Sequence, residues 1–308
     1  MAEPRIVSLL PALTEIVAAL DMAHLLVGRS HECDNPPEVA GLPALTSPKF
    51  VPDHDGLEVH QQVMDILKQG LSVYAVDAAQ LKALKPDVIL TQTQCEVCAA
   101  SEEDVKAAVA EMLDPKPEVV AVAPEKLEDV WNNILQIARA LGVEEKGQSL
   151  VNELQERTNS ITRRAKKLKA QPSVATIEWM NPLMAGGNWM PELVNMAGGT
   201  NMFGKAGQHS PWLEWEVLQT ADPDILLVLP CGYSITQSQR EIHHLTQREG
   251  WAHLTAVQEG RVYVLDGNAY FNRPGPRLVE SLEILAEVIH PDQFNFGHQE
   301  SGWIRLGA

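Results

Sequence analysis

The chain alternates short apolar runs with segments of helical spacing, and this alternation limits its fold more than any other feature. Residues 5–10 form an apolar run that stops at Pro11, and Ile16, Val17 and Leu20 then recur at helical spacing. Similar buried-strand patterns lie at residues 25–27, 88–90, 118–123, 174–177, 225–229 and 262–265. Strands that alternate with helices in this way favour parallel sheets covered by helices on both faces.

A long segment without proline, residues 144–170, separates two such α/β regions. It consists mostly of strong helix formers, and as one helix it would span roughly 40 Å. Its apolar positions are sparse, which favours a solvent-bridging helix between two lobes over an ordinary surface helix. We therefore predict an α/β fold with two Rossmann-like lobes, mainly parallel sheets and one long joining helix. The predicted parts are an N-terminal lobe (1–124), connecting helices (125–171) and a C-terminal lobe with a tail (172–308).

The charge of the chain argues against several classes of partner. It has 24 basic and 41 acidic residues among 308, which gives a net charge of −17. Nucleic acids and anionic membrane surfaces repel such a protein. The chain also lacks an apolar run of about 18 residues, so we expect no membrane insertion. Its first residues do not resemble a signal peptide, which predicts a cytoplasmic location as the sequence stands, or a periplasmic one if a signal has been removed.

Polar and aromatic side chains follow the predicted strands. In open α/β sheets, ligands bind beyond the carboxyl ends of the strands. Aromatic faces with a few polar groups suit a large planar ligand, although Trp179 and Trp189 fit core packing as well. The predicted ligand-binding residues are Arg29, His31, Glu32, Gln92, Gln94, Glu178, Trp179, Trp189, Tyr270 and Arg273.

The four cysteines, Cys33, Cys95, Cys98 and Cys231, fall on the same predicted loops. If they converge, four thiolates would suit tetrahedral zinc or an iron–sulfur cluster. A redox-active Cys95–Cys98 pair and small inert or ligand-contacting thiols are the alternatives. The sequence leaves these three interpretations open.

Two further motifs carry a family resemblance. Residues 8–15 read Ser-Leu-Leu-Pro-Ala-Leu-Thr-Glu, and residues 84–90 read Leu-Lys-Pro-Asp-Val-Ile-Leu. Together with the long helix, they resemble the cobalamin and iron-siderophore substrate-binding proteins of ABC importers, over roughly residues 5–290. Three longer motifs are similar to a branch labelled cobalamin-binding protein, namely residues 28–34, 94–98 and 272–277.

The resemblance implies a periplasmic-binding-protein-like chain that holds a corrinoid, or a related metal chelate, between its lobes without covalent chemistry. The partner that it implies is an importer permease, and a cytosolic relative of such proteins is also consistent with it. The chain contains no G-x-S-x-G elbow, Walker loop or G-x-G-x-x-G motif, so we do not expect an enzyme. The alternative is a cytosolic zinc or iron–sulfur protein that uses the four cysteines.

Overall fold

The computed structural model describes residues 3–52, 55–69, 72–93, 105 and 116–307. The chain divides into two compact units. Unit 1 comprises Met1–Pro124 with Glu128–Glu153, and unit 2 comprises Glu125–Leu127 with Leu154–Ala308. The sequence prediction instead set residues 125–171 apart as a connecting segment. The division falls within the long helix because its two halves have different partners, the first half packing on unit 1 and the second on unit 2.

Unit 1 is built on a parallel sheet. Its strands are β1 (Ile6–Ser8), β2 (Leu26–Arg29), β5 (Val88–Gln92) and β6 (Glu118–Val122), in the order β2-β1-β5-β6. A separate antiparallel pair consists of β3 (Thr46–Pro48) and β4 (Tyr74–Val76). The neighbouring strands of the main sheet all pair in parallel, so their carboxyl ends lie at one edge. Each residue of β1 is buried, as expected for a strand covered on both faces.

The helices of unit 1 begin where the sequence favours it. Those with described bounds are α1 (Pro11–Ala19), α2 (Gly56–Lys68), α3 (Ala78–Leu84) and α4 (Leu127–Ala140), with 3-10 turns at Ala23–Leu25 and Pro37–Gly41. Pro11 is the first residue of α1, where its missing N–H costs nothing and its fixed φ suits the helix. Asp55 and Asp77 cap α2 and α3 by accepting a backbone N–H from Leu57 and Gln80.

Unit 2 contains a larger, mainly parallel sheet. Its strands are β7 (Ser173–Met180), β8 (Leu183–Ala185), β9 (Thr200–Asn201), β10 (Ile225–Val228), β11 (Val262–Leu265) and β12 (Trp303–Arg305). The order is β12-β11-β10-β7-β8, and β9 also pairs with β7. Strands β7, β10 and β11 are parallel and supply the centre, whereas β8 and β12 pair antiparallel on the two sides.

The remaining helices include the long one. They are α5 (Glu144–Ala165), α6 (Met190–Met196), α7 (Trp215–Ala221), α8 (Ile235–Glu241), α9 (His243–Thr246), α10 (Thr255–Gln258) and α11 (Leu278–Ile289), with a 3-10 turn at Trp251–His253 and a π-helical turn at Gly267–Phe271. Helix α5 has 22 residues and ends five residues before the predicted residue 170. Lys167 and Leu168 donate to Arg164 and Ala165 three residues earlier, which closes the helix with a tighter turn.

These elements confirm the predicted fold class. Each unit has a mainly parallel sheet, and α5 contributes Glu144–Glu153 to unit 1 and Leu154–Ala165 to unit 2. No helix in the described part of the chain is long and apolar enough to span a bilayer.

The C-terminal tail, residues 291–307, is attached to unit 2 through Glu287 of α11. One carboxylate oxygen of Glu287 accepts the backbone N–H groups of Phe296 and Gly297, the latter at 2.7 Å. The other accepts the indole N–H of Trp303 at 2.8 Å. The sequence of the tail has no clear periodicity, and its strand β12 forms by pairing with β11.

Candidate functional site

The loop after β2 in unit 1 carries several of the predicted binding residues. The guanidinium of Arg29 donates to the carbonyl oxygens of Ser30, His31 and Ala40 at 2.9, 3.1 and 3.0 Å. The backbone N–H of Cys33 donates to the carbonyl of Ser30 at 3.2 Å and closes a tight turn. Arg29 therefore fixes the shape of this loop, and three of its hydrogen bonds go to the protein itself.

His31 is held by a hydroxyl on β3. Its Nδ1 lies 2.7 Å from Thr46 Oγ1, and its backbone N–H donates to the same oxygen at 3.1 Å. Thr46 Oγ1 also lies 3.0 Å from Ser30 Oγ. The His31 ring packs against Tyr74 of β4, with the centroids 5.3 Å apart. Burial, and then the charge of Arg29, lower the pKa of His31 from its ordinary value, so the ring is neutral at pH 7.

Two other predicted residues of unit 1 are partly or fully buried. Glu32 accepts a hydrogen bond from the Tyr74 hydroxyl at 3.3 Å. Gln92, the last residue of β5, is only 4% exposed. Gln94 follows β5 in the sequence and lies outside the described residues. Gln92 ends β5 and Glu32 follows β2, so both lie near the carboxyl ends of these strands. Ligand roles for the two residues stay predictions.

The cysteines that the structure describes have different surroundings. Cys33 is 2% exposed, and its Sγ accepts from Thr14 Oγ1 at 3.0 Å. Cys231 is half-buried after β10, and its backbone N–H donates to the carbonyl of Glu178 at 3.0 Å. Cys95 and Cys98 lie outside the described residues. The four-cysteine site therefore stays a prediction.

In unit 2, an aromatic pair lies at the carboxyl ends of β7 and β10. The rings of Trp179 and Tyr233 meet edge to face with centroids 5.3 Å apart. The indole N–H of Trp179 donates to the carbonyl of Asn181 at 3.1 Å. Its neighbour Glu178 accepts the backbone N–H of Gly187 at 3.4 Å. The pair presents a partly exposed indole with a phenol ring against it, which suits a ligand with both apolar and polar surface.

The loops after β10 and β11 are fastened to each other. Asp266 accepts the N–H of Ala269 at 2.7 Å and so caps the π-helical turn, while Asn268 donates its N–H to the carbonyl of Tyr233 at 3.0 Å. A Cβ on Gly267 would lie 2.1 Å from the carbonyl oxygen of Pro230. Burial raises the pKa of Asp266, although the Ala269 N–H and the charge of nearby arginines oppose this shift. Only glycine fits where these two loops meet.

The other predicted residues of unit 2 have structural contacts. Trp189 is 6% exposed, and its indole N–H donates to the carbonyl of Phe271 at 2.9 Å. The guanidinium of Arg273 is buried and donates to Asn268 Oδ1 at 3.0 Å. Tyr270 is half-buried, with the guanidinium of Arg277 5.4 Å from its ring centroid. Ligand roles for Trp189, Arg273 and Tyr270 stay predictions.

Sequence reasoning missed three contributors to these clusters. Thr46 and Tyr74 belong to the small β3-β4 sheet, whose three-residue strands carry little periodic signal. Tyr233 follows β10 and joins the cluster through Trp179. The sequence could have indicated Tyr233 only by its position after a strand end. Its ring contact with Trp179 is tertiary, so no local pattern predicts it.

A fold with strand-end loops of this kind is typical of a ligand-binding protein. Residues 6–269 match the family described as periplasmic binding protein, and the chain belongs to that family. The resemblance inferred from the sequence is confirmed at this level.

Curated relatives cover nearly the whole chain. An uncharacterized ABC transporter substrate-binding lipoprotein of Bacillus subtilis, YvrC, is 25% identical over 301 residues, which are 95% of this chain and 82% of that protein. The vitamin B12-binding protein of Vibrio parahaemolyticus is 22% identical over 296 residues, covering 92% of this chain and 88% of that protein.

Solved structures share the fold. The periplasmic heme-binding protein RhuT from Roseiflexus aligns with a TM-score of 0.70 and 22% identity, covering 94% of this chain and 99% of that one. The periplasmic vitamin B12-binding protein BtuF of Vibrio cholerae aligns with a TM-score of 0.68 and 19% identity, covering 94% and 98%.

Proposed function

We propose that this chain is a non-catalytic substrate-binding component of an ABC-type uptake system, or a relative of one, and that it binds a corrinoid or related metal chelate. Family membership carries the first part of the proposal. The second part is supported by relatives that are named for vitamin B12 and heme. An importer permease is the proposed partner. The family supports a periplasmic location, and the cytoplasmic alternative stays a prediction.

The strand-end side chains of each unit fit this class of ligand. Unit 1 offers the neutral imidazole of His31 beside the ring of Tyr74. Unit 2 offers the Trp179–Tyr233 pair. A corrinoid or heme is a large ring system with apolar faces and a polar rim, so aromatic faces with a few polar groups match its surface. That the ligand lies between the lobes stays a prediction from the family resemblance.

The test is a direct titration of the full chain by calorimetry with cyanocobalamin, hemin and a ferric siderophore. We expect saturable 1:1 binding of cyanocobalamin. Trp179→Ala should weaken it about tenfold, or about 1.4 kcal/mol, through lost aromatic contact. The control is Phe296→Ala, an aromatic residue of the tail that is 37% exposed. If only hemin or only the siderophore binds, that chelate replaces the corrinoid as the proposed ligand. If none of the three binds, the chelate proposal is refuted.

The zinc or iron–sulfur alternative has its own test. The chain is purified without oxygen, and its metal content is compared with that of a variant in which Cys33, Cys95, Cys98 and Cys231 are all serine. The binding-protein proposal expects no stoichiometric zinc or iron in either protein. Stoichiometric metal that disappears in the serine variant would favour the alternative.

A further inference from the structure

We propose that His31 coordinates the metal of the bound chelate through its Nε2 atom, and that Thr46 is the residue that positions it. This inference rests on the proposed function and specifies its ligand. The class of ligand is a planar metal chelate with one exchangeable axial position, such as the cobalt of aquacobalamin or the iron of heme.

The hydrogen bonds around His31 leave one ring nitrogen for a ligand. Nδ1 is engaged by Thr46 Oγ1 at 2.7 Å, whereas no residue in the described part of the chain bonds Nε2. Thr46 Oγ1 lies 3.0 Å from Ser30 Oγ, so its hydroxyl can donate to Ser30 while it accepts from Nδ1–H. In that arrangement the Nε2 lone pair is available. A histidine that binds a metal usually donates its other N–H to such a neighbouring oxygen.

A hydrogen bond from the backbone of His31 helps to hold its ring in this orientation. Thr46 Oγ1 also accepts the His31 backbone N–H at 3.1 Å, so one hydroxyl holds both the main chain and the side chain of this residue. Tyr74 packs against the ring with centroids 5.3 Å apart. The imidazole therefore loses little further freedom when it binds a metal, which lowers the entropic cost of coordination.

Two neighbouring groups are less suitable as ligands. The Tyr74 hydroxyl donates to Glu32 at 3.3 Å, and Cys33 is 2% exposed with its sulfur bonded by Thr14. His31 is half-buried at the start of the loop after β2, where the parallel strands end.

The test uses visible absorption of the full chain with two corrinoids. Aquacobalamin has an exchangeable axial water, whereas both axial positions of cyanocobalamin are occupied. We expect the bands of aquacobalamin to shift on binding, as imidazole replaces water, and those of cyanocobalamin to stay unchanged. His31→Ala should abolish the shift and weaken aquacobalamin about tenfold more than cyanocobalamin. Cyanocobalamin binding by that variant shows that it is folded.

Matched variants separate coordination from general damage. His24→Ala removes an exposed histidine in the turn before β2, at the opposite end of the same strand, and should retain the shift. Thr46→Val should reduce the fraction of bound aquacobalamin whose absorption bands shift. Thr46→Ser should keep this fraction near that of the unmodified chain, because the hydroxyl is retained. Hemin provides a parallel test. Its Soret band should shift on binding, and His31→Ala should abolish this shift. A His31-dependent shift with hemin would assign iron as the coordinated metal.

The outcomes distinguish this inference from the proposed function. If aquacobalamin or hemin binds but no band depends on His31, the coordination proposal is wrong and the binding function stands. If neither chelate binds the unmodified chain, the proposed function fails and this inference fails with it. A shift that depends on His31 but is unaffected by Thr46→Val would refute the positioning role of Thr46.

Discussion

The imidazole Nε2 of His298 lies 2.8 Å from Oε2 of Glu283, and the other oxygen of the same carboxylate accepts from Arg157 at 2.9 Å. Arg157 belongs to α5, Glu283 to α11 and His298 to the C-terminal tail. One carboxylate thus joins three parts of unit 2. Because Glu283 is largely buried, salt and solvent screen both contacts less than they screen a surface ion pair.

The His298–Glu283 contact predicts a pH-dependent stability. The hydrogen bond to Glu283 raises the pKa of His298 above its ordinary value of 6.5, although burial opposes the shift. This stabilisation is therefore complete below pH 6.5 and is lost as the pH rises through the raised pKa. Burial alone would raise the pKa of Glu283, but the bonds from His298 and Arg157 lower it below 4.5. Its contribution is present above pH 4.5 and is lost only in stronger acid.

We accordingly expect His298→Gln to cost about 1–2 kcal/mol at pH 5.5 and much less at pH 8.5. Urea unfolding at the two pH values measures the difference. His253→Gln, an exposed histidine at the Trp251–His253 turn, is the control. An equal loss at both pH values would show that the charge of His298 contributes nothing.

The attachment of the tail should depend on Glu287. Its carboxylate accepts from the backbone of Phe296 and Gly297 and from the indole of Trp303. Glu287→Ala leaves these donors without their acceptor, so we expect a loss of about 2–3 kcal/mol. Amide hydrogen exchange should increase across residues 296–303. Asp292→Ala, an exposed carboxylate of the same tail, should leave exchange unchanged, and unchanged exchange in the Glu287 variant would contradict the prediction.

Gly267 should tolerate no side chain. A Cβ there would lie 2.1 Å from the carbonyl oxygen of Pro230, so the backbone of one of the two loops would have to shift to admit it. Gly267→Ala is expected to cost about 1–3 kcal/mol of unfolding free energy. Gly41→Ala, whose Cβ would meet nothing within 4 Å, is the matched control. Thermal unfolding of both variants tests the prediction. Equal melting temperatures for Gly267→Ala and Gly41→Ala would contradict it.

The hydroxyl of Thr14 should stabilise the buried part of unit 1. It lies 2.8 Å from Ser8 Oγ and 3.0 Å from Cys33 Sγ. Thr14→Val keeps the shape but removes these bonds, so we expect a loss of about 1–2 kcal/mol in urea unfolding. Thr14→Ser keeps the hydroxyl and should lose less. The reverse order of the two variants would mean that the methyl group, and not the hydrogen bonds, stabilises this site.

The sequence predicted the strands well because each central strand is a short apolar run. Residues 6–8, 88–92 and 225–228 are buried strands, close to the predicted bounds. The end of α5 was placed at residue 170, since Lys167, Leu168 and Ala170 all favour a helix. The helix ends at Ala165, and the guanidinium of Arg164 beside this end lies 4.5 Å from the ring centroid of Phe294, a tertiary contact that no local pattern encodes.

The binding residues could be located by position but not by role. The loop after β2 was predicted because ligands bind at the carboxyl ends of parallel strands. The contact between His31 and Thr46 spans 15 positions and joins the loop after β2 to strand β3 of a separate sheet, and no local pattern encodes it. The hydrogen bond between Trp189 and Phe271 spans 82 positions, so the sequence offered no means to tell a tethered indole from an exposed one.

Strand β12 has a consequence beyond the tail itself. It pairs along Tyr263, Val264 and Leu265 of β11, on the side that β10 does not cover. Without it, an apolar strand would present unpaired N–H and C=O groups to other chains, which is a template for aggregation. Removal of the last residues would therefore do more than shorten the protein. It would open the sheet to intermolecular pairing, so the tail protects the solubility of unit 2.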